Sequence, residues 1–151
     1  MYSPLGKPFV ILHFCCNPSV QTNHGRFLSS LGYCVIGSNN GFETIELSAS
    51  GEIDAVVLEL DRNHSDVLLI AREIKRARAS LPTIVVVHAT QTRDGLDGLA
   101  DALVPEEMGS GLLVKSLEEV LARSRKGYFP LPDTAPAKKQ IGDKGQVSIP
   151  A

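Results

Sequence analysis

Short apolar runs alternate along this chain with segments of helical period. Between the runs, apolar residues recur every three or four positions, as in Val20, Phe27 and Leu31, or in Phe42 and Ile45. Strict alternation of strand and helix requires crossover connections, so it predicts an α/β protein with a parallel sheet covered on both faces. The strand candidates, rich in Val, Ile and Leu, are residues 9–15, 33–36, 55–60, 84–88 and 102–104.

Five strands in this pattern favour a flavodoxin-like three-layer α/β/α sandwich with strand order 2-1-3-4-5. The fourth connection is unusual. Only about a dozen residues link the fourth and fifth strands, and they include Gly95 and Gly98. A crossover with its helix needs at least 10–12 residues, and glycine weakens a helix. We therefore expect the fourth helix to be short or absent.

Composition sets the domain organisation and the class of partner. A chain of 151 residues, 43% of them hydrophobic, suits one folded domain, predicted over residues 8–125. Residues 1–7 form an extension, and the proline-containing residues 126–151 are expected to be a flexible tail or linker. A net charge of -2 favours a protein partner over nucleic acid or a membrane. Three cysteines, an odd number, are typical of a reducing cytoplasm.

The strand ends carry the candidate chemistry. In an open parallel sheet the carboxyl ends of the strands meet at one edge, where such folds place their sites. Cys15 and Cys16 follow the first strand, Glu59 and His88 lie at the ends of the third and fourth, and Pro105 follows the fifth. These side chains are expected to lie near one another.

Residues 8–123 resemble the receiver domain of bacterial two-component response regulators, which are phosphorylated on an aspartate in a phosphorelay. The resemblance implies the fold predicted above and a role in signal transduction. Its landmarks are residues 11–18, residues 31–33, the Asn40-Gly41 turn, Asp54 five residues before Glu59, residues 82–89, and Ala100-Asp101.

The resemblance also shows where this chain departs from the family. The family's Mg²⁺-binding acid pair matches two thiols, and its phosphoacceptor aspartate matches a glutamate. Its hydroxyl residue and its lysine have no counterpart of the same type. Because Mg²⁺ requires oxygen ligands, thiols cannot replace the acid pair. We call these positions the vestigial pocket: Cys15, Cys16, Glu59, Val87 or His88, and Pro105 or Glu106.

The predicted function is a phosphorylation-independent protein-interaction module, not an enzyme, with no cofactor or metal. Glu59 allows two interpretations: it imitates a phosphoaspartate, or it is simply a paired acid at a strand end. We favour the paired acid, with His88 as its neighbour. Burial would then raise the pKa of Glu59 unless a protonated His88 lowered it again.

An alternative function is a small metal-binding or thiol-redox protein that uses Cys15, Cys16 and His88. Adjacent cysteines are poorly placed for a mutual disulfide, and no Cys-x-x-Cys spacing supports zinc. Among the other candidates, His13 is expected to be a satisfied interior histidine and His24 to be exposed. Cys34, inside the second strand, is expected in the core.

The partner surface is predicted on the last strand and the last helix. Receivers of the family that this chain resembles pair through this region, and a shortened fourth helix would leave apolar surface less covered. The residues of this candidate partner surface are Ala102, Leu103, Val104, Leu112 and Val114.

Overall fold

The structure, a computed structural model, describes residues 6–59, 66–87, 96 and 98–128. Five parallel strands form one sheet in the order β2-β1-β3-β4-β5, which confirms the predicted fold class and strand order. The strands are β1 (Val10–Phe14), β2 (Cys34–Ser38), β3 (Ala55–Glu59), β4 (Thr83–Val87) and β5 (Ala102–Pro105). The helices are α1 (Pro18–Ser30), α2 (Gly41–Ser48), α3 (Asp66–Ala77) and α4 (Ser110–Tyr128), and a 3-10 turn covers Glu106–Met108.

The connection from β4 to β5 is only partly described. Residues 96 and 98–101 form turns and a bridge and contain no helix. Residues 88–95 and 97 lie outside the described residues, and so does most of the predicted short or absent fourth helix.

The core occupies both faces of the sheet. On one face, Leu12 and Leu58 pack with Ile70 and Ile74 of α3. The other face belongs to α1 and α4. There the apolar cluster consists of Ile11, Ala55, Val57 and Ile84 from the strands with Leu28, Leu113 and Leu117 from the helices. Every residue of β3 and β4 is buried, as expected for central strands of a sheet with two covered faces.

Local sequence signals fix where α1 and α2 begin. The Asn17 side chain accepts hydrogen bonds from the backbone N–H groups of Ser19 and Val20, and Pro18 opens α1. Asn40 caps α2 in the same way through the N–H of Glu43.

Asp54 and Asp101, two landmarks of the resemblance, make structural contacts at the amino ends of the strands, away from the carboxyl ends that carry the candidate site. Asp54 Oδ2 accepts the N–H of Val10 at 2.7 Å, at the start of β1. Asp101 Oδ2 accepts the N–H of Thr83 at 2.7 Å and pairs with Lys75 Nζ at 2.9 Å. These carboxylates satisfy backbone donors at the first residues of β1 and β4.

One prediction about the core is wrong, and one apolar residue of a predicted helix faces solvent. Cys34 is exposed because β2 is an edge strand, with one side of the ladder and much of its surface uncovered. Phe42 is 74% exposed, while Thr44 and Ser48 of the same helix are buried. Both buried hydroxyls donate to backbone carbonyls one turn earlier, Thr44 to Asn40 and Ser48 to Ile45, so their burial leaves no unsatisfied donor.

The last helix extends beyond the predicted end of the folded domain. Residues 1–121 form one compact unit, and a second unit begins at Ala122. Helix α4 continues to Tyr128, three residues beyond the predicted end of the folded domain at residue 125.

None of the helices in the described residues combines the length and hydropathy of a membrane-spanning segment.

Candidate functional site: a buried carboxylate between two histidines

Strand pairing places His13 and Glu59 on the same face of the sheet. His13 of β1 lies opposite Val57 of β3. Because side chains alternate along a strand, Glu59 follows Val57 on the face that α1 and α4 cover. The carboxylate at the end of β3 can therefore reach back toward His13 and outward toward α1.

We call the resulting group the His–Glu–His cluster, which consists of His13, Glu59 and His24. His13 Nε2 donates to Glu59 Oε2 at 2.5 Å, and His24 Nδ1 of α1 donates to the same oxygen. The His13 and Glu59 side chains are 0% and 5% exposed, whereas that of His24 is 23% exposed. The cluster thus joins two neighbouring strands to the helix above them.

The two imidazoles determine the charge on Glu59. Burial alone would raise the pKa of Glu59, but the hydrogen bonds from His13 and His24 outweigh it and hold the pKa below its ordinary value. The hydrogen bond to Glu59 raises the pKa of His24 against the opposing effect of burial. The negative charge of Glu106 raises it further. The cluster therefore favours an ionised carboxylate beside a protonated His24.

The predictions for these residues have mixed outcomes. Glu59 is paired, but its partners are His13 and His24, and the expected neighbour His88 lies outside the described residues. His13 is buried as predicted, yet its Nδ1 has no hydrogen-bond partner within the described part of the chain. The prediction that His24 is exposed and uninvolved is wrong. A signal for His24 was present, because Val20, His24, Phe27 and Leu31 share one helical face.

Among the described residues, the rest of the vestigial pocket consists of two thiols, two apolar residues and the charged Glu106. Cys15 is buried, and its Sγ lies 3.6 Å from the carbonyl oxygen of Asn17. Cys16 is half-buried, with Sγ 3.9 Å from the carbonyl oxygen of Asn39. Val87 pairs in register with Pro105. Glu106 begins the exposed 3-10 turn.

The donor groups among these described residues do not fit Mg²⁺. This ion requires near-octahedral oxygen coordination, and the loop after β1 offers two sulfur atoms instead. One carboxylate oxygen of Glu59 already accepts hydrogen bonds from two histidines. All three cysteines of the chain are thiols.

One residue of the candidate partner surface is buried and does not belong to it. Val104 is 1% exposed and belongs to the core on the face that α1 and α4 cover, so its inclusion was wrong. The other four residues are half-buried: Ala102, Leu112 and Val114 border the same core, and Leu103 borders the core on the opposite face. β5 is an edge strand, which leaves one side of its backbone without a neighbouring strand of this sheet.

Known proteins resemble this chain in sequence and in fold. The response regulator MprA of Mycobacterium ulcerans is 32% identical over 110 residues, which cover 71% of this chain and 44% of that protein. MprA of Mycobacterium leprae is also 32% identical over 110 residues, covering 71% of this chain and 45% of that protein. The chain therefore spans less than half the length of these relatives. No protein-family model matches the sequence.

Solved receiver domains have the same architecture. A CheY-like response regulator receiver domain from Methanospirillum hungatei JF-1 superposes with a TM-score of 0.72 at 14% identity, covering 80% of this chain and 99% of that one. The response regulator TrrA from Thermotoga maritima, solved in complex with Mg²⁺ and BeF, has a TM-score of 0.67 at 21% identity. That match covers 74% of this chain and 98% of TrrA. The chain therefore has the receiver fold, and it is similar in sequence to two-component response regulators.

Proposed function

We propose that this chain is a receiver-type signalling domain that acts by binding a protein partner and is not phosphorylated. The observation that carries the proposal is the state of Glu59, which is 4% exposed and whose Oε2 accepts from both His13 and His24. Attack on a phosphodonor requires a carboxylate oxygen that can reach the donor. In this chain the carboxylate is buried, and one of its two oxygens, Oε2, already accepts hydrogen bonds from two donors.

The surrounding charges support the same proposal. Phosphoryl transfer depends on cations that offset the charge developing on the transferring oxygens. By the resemblance, Cys15 and Cys16 stand where receivers hold the metal with acids, and Pro105 or Glu106 stands at the position of their lysine. Without those charges the pocket would stabilise neither the transition state nor a phosphorylated product.

The pathway and the partner belong to this proposal as well. The relatives are named response regulators, and a two-component pathway in the cytoplasm is the setting we propose. The partner is a signalling protein or a second copy of this chain. The domain would act by binding and not by catalysis.

Phosphorylation can be tested directly by intact-mass measurement. The protein is incubated with acetyl phosphate and Mg²⁺ beside an ordinary response regulator, and we expect the mass of one phosphate to be added only to the latter. A matched variant restores the family's charges through Cys15→Asp, Cys16→Asp, Glu59→Asp and Pro105→Lys. A stable gain of one phosphate by the unmodified protein, lost in Glu59→Ala, would contradict the proposal.

The partner surface is proposed on the exposed parts of β5 and α4, around Leu103, Leu112 and Val114. Leu112→Glu and Val114→Glu place a charge on this surface and should weaken self-association in sedimentation experiments or capture of the partner. Leu69→Glu is the matched control, because Leu69 is 52% exposed and lies on α3. Circular dichroism checks the fold of each variant. If the α4 variants behave like the control, binding uses another surface.

A further inference from the structure

The His–Glu–His cluster brings together three atoms that ligate metals. His13 Nε2, His24 Nδ1 and Glu59 Oε2 come from β1, α1 and β3, and all lie within 4.8 Å of one another. Two imidazole nitrogens and one carboxylate oxygen form a donor set that binds Zn²⁺ while leaving one coordination position open. Each donor comes from a regular element, so the group is held by the sheet and its covering helix.

The burial of His13 is a second, independent observation. This imidazole is fully buried on the face of the sheet that α1 and α4 cover, whereas its chain neighbours Leu12 and Phe14 belong to the core on the opposite face. One of its ring nitrogens, Nδ1, has no hydrogen-bond partner among the described residues. Burying such a group is unfavourable unless something compensates for it. A cation bound at Nε2 does not reach Nδ1, which would carry the proton of the neutral ring, but it would give the buried imidazole a partner at Nε2 in place of the hydrogen bond to Glu59.

We propose that the His–Glu–His cluster is a site for a divalent first-row transition metal, with Zn²⁺ as the ion of choice. His13 Nε2, His24 Nδ1 and Glu59 Oε2 are the protein ligands, and water completes the coordination. The ion replaces the hydrogens that the two ring nitrogens now direct at Oε2. Each imidazole binds in its neutral form, with its remaining proton on the other ring nitrogen, and any further proton is released to solvent.

Modest movement suffices to admit the ion. Ligand atoms of a tetrahedral Zn²⁺ at about 2.1 Å lie about 3.4 Å apart. His13 Nε2 and Glu59 Oε2 are 2.5 Å apart, so they must separate by less than the width of an atom. The partly exposed side chain of His24 lies at the solvent side of the cluster and gives an entry path.

The donor types determine which ions fit. Imidazole nitrogen favours Zn²⁺, Cu²⁺, Ni²⁺ and Co²⁺ over Mg²⁺ and Ca²⁺, which prefer oxygen. No cysteine belongs to the donor set. The site therefore differs from the metal site at Cys15, Cys16 and His88 that the sequence suggested as an alternative.

The test measures Zn²⁺ affinity of the full chain, stripped of metal, by competition with a chromophoric chelator near pH 7.5. We expect one Zn²⁺ per chain. His24→Asn places an amide N–H near the position of Nδ1 and keeps a donor for Glu59, but it removes the imidazole ligand. It should weaken binding at least about 100-fold, the upper end of what loss of an outer-sphere partner costs. His13→Gln, which imitates Nε2, should do the same.

The control variant removes all three thiols through Cys15→Ser, Cys16→Ser and Cys34→Ser and should retain the affinity of the unmodified chain. Co²⁺ gives a second readout that does not depend on variant folding. We expect the visible bands of a nitrogen and oxygen site without sulfur-to-cobalt charge transfer. Loss of binding in the thiol variant, thiolate charge transfer, unchanged affinity in His24→Asn, or failure to compete with the chelator would each overturn the proposal. None of these results bears on whether the domain is phosphorylated.

Discussion

At the scale of single residues, the side chain of Glu59 is one methylene longer than that of an aspartate, and this length determines which groups its carboxylate contacts at the end of β3. The longer stem lets the carboxylate of Glu59 reach His13 on the neighbouring strand and His24 on α1. These partners follow from strand alternation and helical period, both of which are visible in the sequence. The actual contact could not be predicted, because it depends on the rotamer of Glu59 and on how α1 is rotated against the sheet.

Glu59→Gln tests how much the cluster stabilises the protein. The neutral amide loses two charge-assisted hydrogen bonds, so in metal-free buffer near pH 6 the free energy of unfolding should fall by about 1.5–3 kcal/mol. Urea denaturation measures the change. The control is Glu52→Gln at an exposed turn residue, which should stay within about 0.5 kcal/mol of the unmodified chain. Equal stability of the two variants would mean that the cluster contributes nothing net.

The pH dependence of the free energy of unfolding should reflect the ion pair between His24 and Glu59. The pKa of His24 is raised above 6.5 in the folded protein, so its contribution is complete below that pH and is lost as the pH rises through the raised value. The pKa of Glu59 is lowered below 4.5, so its contribution is complete above that pH and is lost on further acidification. With chelator present, the pair should stabilise the fold most between about pH 4.5 and 6.5.

The measurement is the difference in unfolding free energy between the unmodified chain and His24→Asn, followed from pH 5 to 9. We expect this difference to shrink above pH 6.5, because Asn does not titrate. A difference that stays constant over this range would show that His24 is not protonated beside Glu59.

At the scale of secondary-structure elements, apolar runs identified the strands because β3 and β4 are buried on both faces and need little else. The same rule failed at the periphery. Cys34 lies on an edge strand, and α2 buries its hydroxyl residues while Phe42 points to solvent. Hydrophobicity predicts the centre of a sheet better than its edge, since at the edge local hydrogen bonds decide which side chains can be buried.

Arg78 connects elements that the strand pattern does not join. Just beyond α3, its Nη1 donates to the carbonyl oxygens of Ser48, Ser50 and Ile53 at 3.2, 2.7 and 3.1 Å, which fixes the turn between α2 and β3. Arg78→Ala should therefore lower the unfolding free energy by about 1.5–3 kcal/mol. Arg76→Ala is the control, because the Arg76 side chain is 72% exposed and pairs with Glu73 on its own helix. It should cost less than about 0.5 kcal/mol. Similar losses in both variants would refute the special role of Arg78.

At the scale of the whole molecule, the strand order was predictable because alternating strands and helices leave few right-handed arrangements. The arrangement of the site was not. Strand-end reasoning correctly brought Glu59 to the edge of the sheet, but it did not predict His13 and His24 as partners, and the partner it assigned, His88, lies outside the described residues. A side chain at a strand end can also lie against the face of the sheet that helices cover, and Glu59 does so in contacting His13 and His24. Topology thus determines which residues are close, and packing determines which of them touch.

The position of the core leads to a prediction about chain length. The buried hydrophobic residues found in the described part of the chain lie between Ile11 and Leu121, and α4 ends at Tyr128. A chain that stops after Tyr128 keeps every one of these residues, so its free energy of unfolding should stay within about 0.5 kcal/mol of the full chain's. A second truncation after Lys115 is the control. It removes Leu117, Val120 and Leu121 from the core and should unfold the domain, because each lost aliphatic side chain costs about 2–5 kcal/mol. Thermal and urea denaturation of the three chains measure the outcome, and a clear loss of stability in the chain ending at Tyr128 would show that residues 129–151 contribute to the fold.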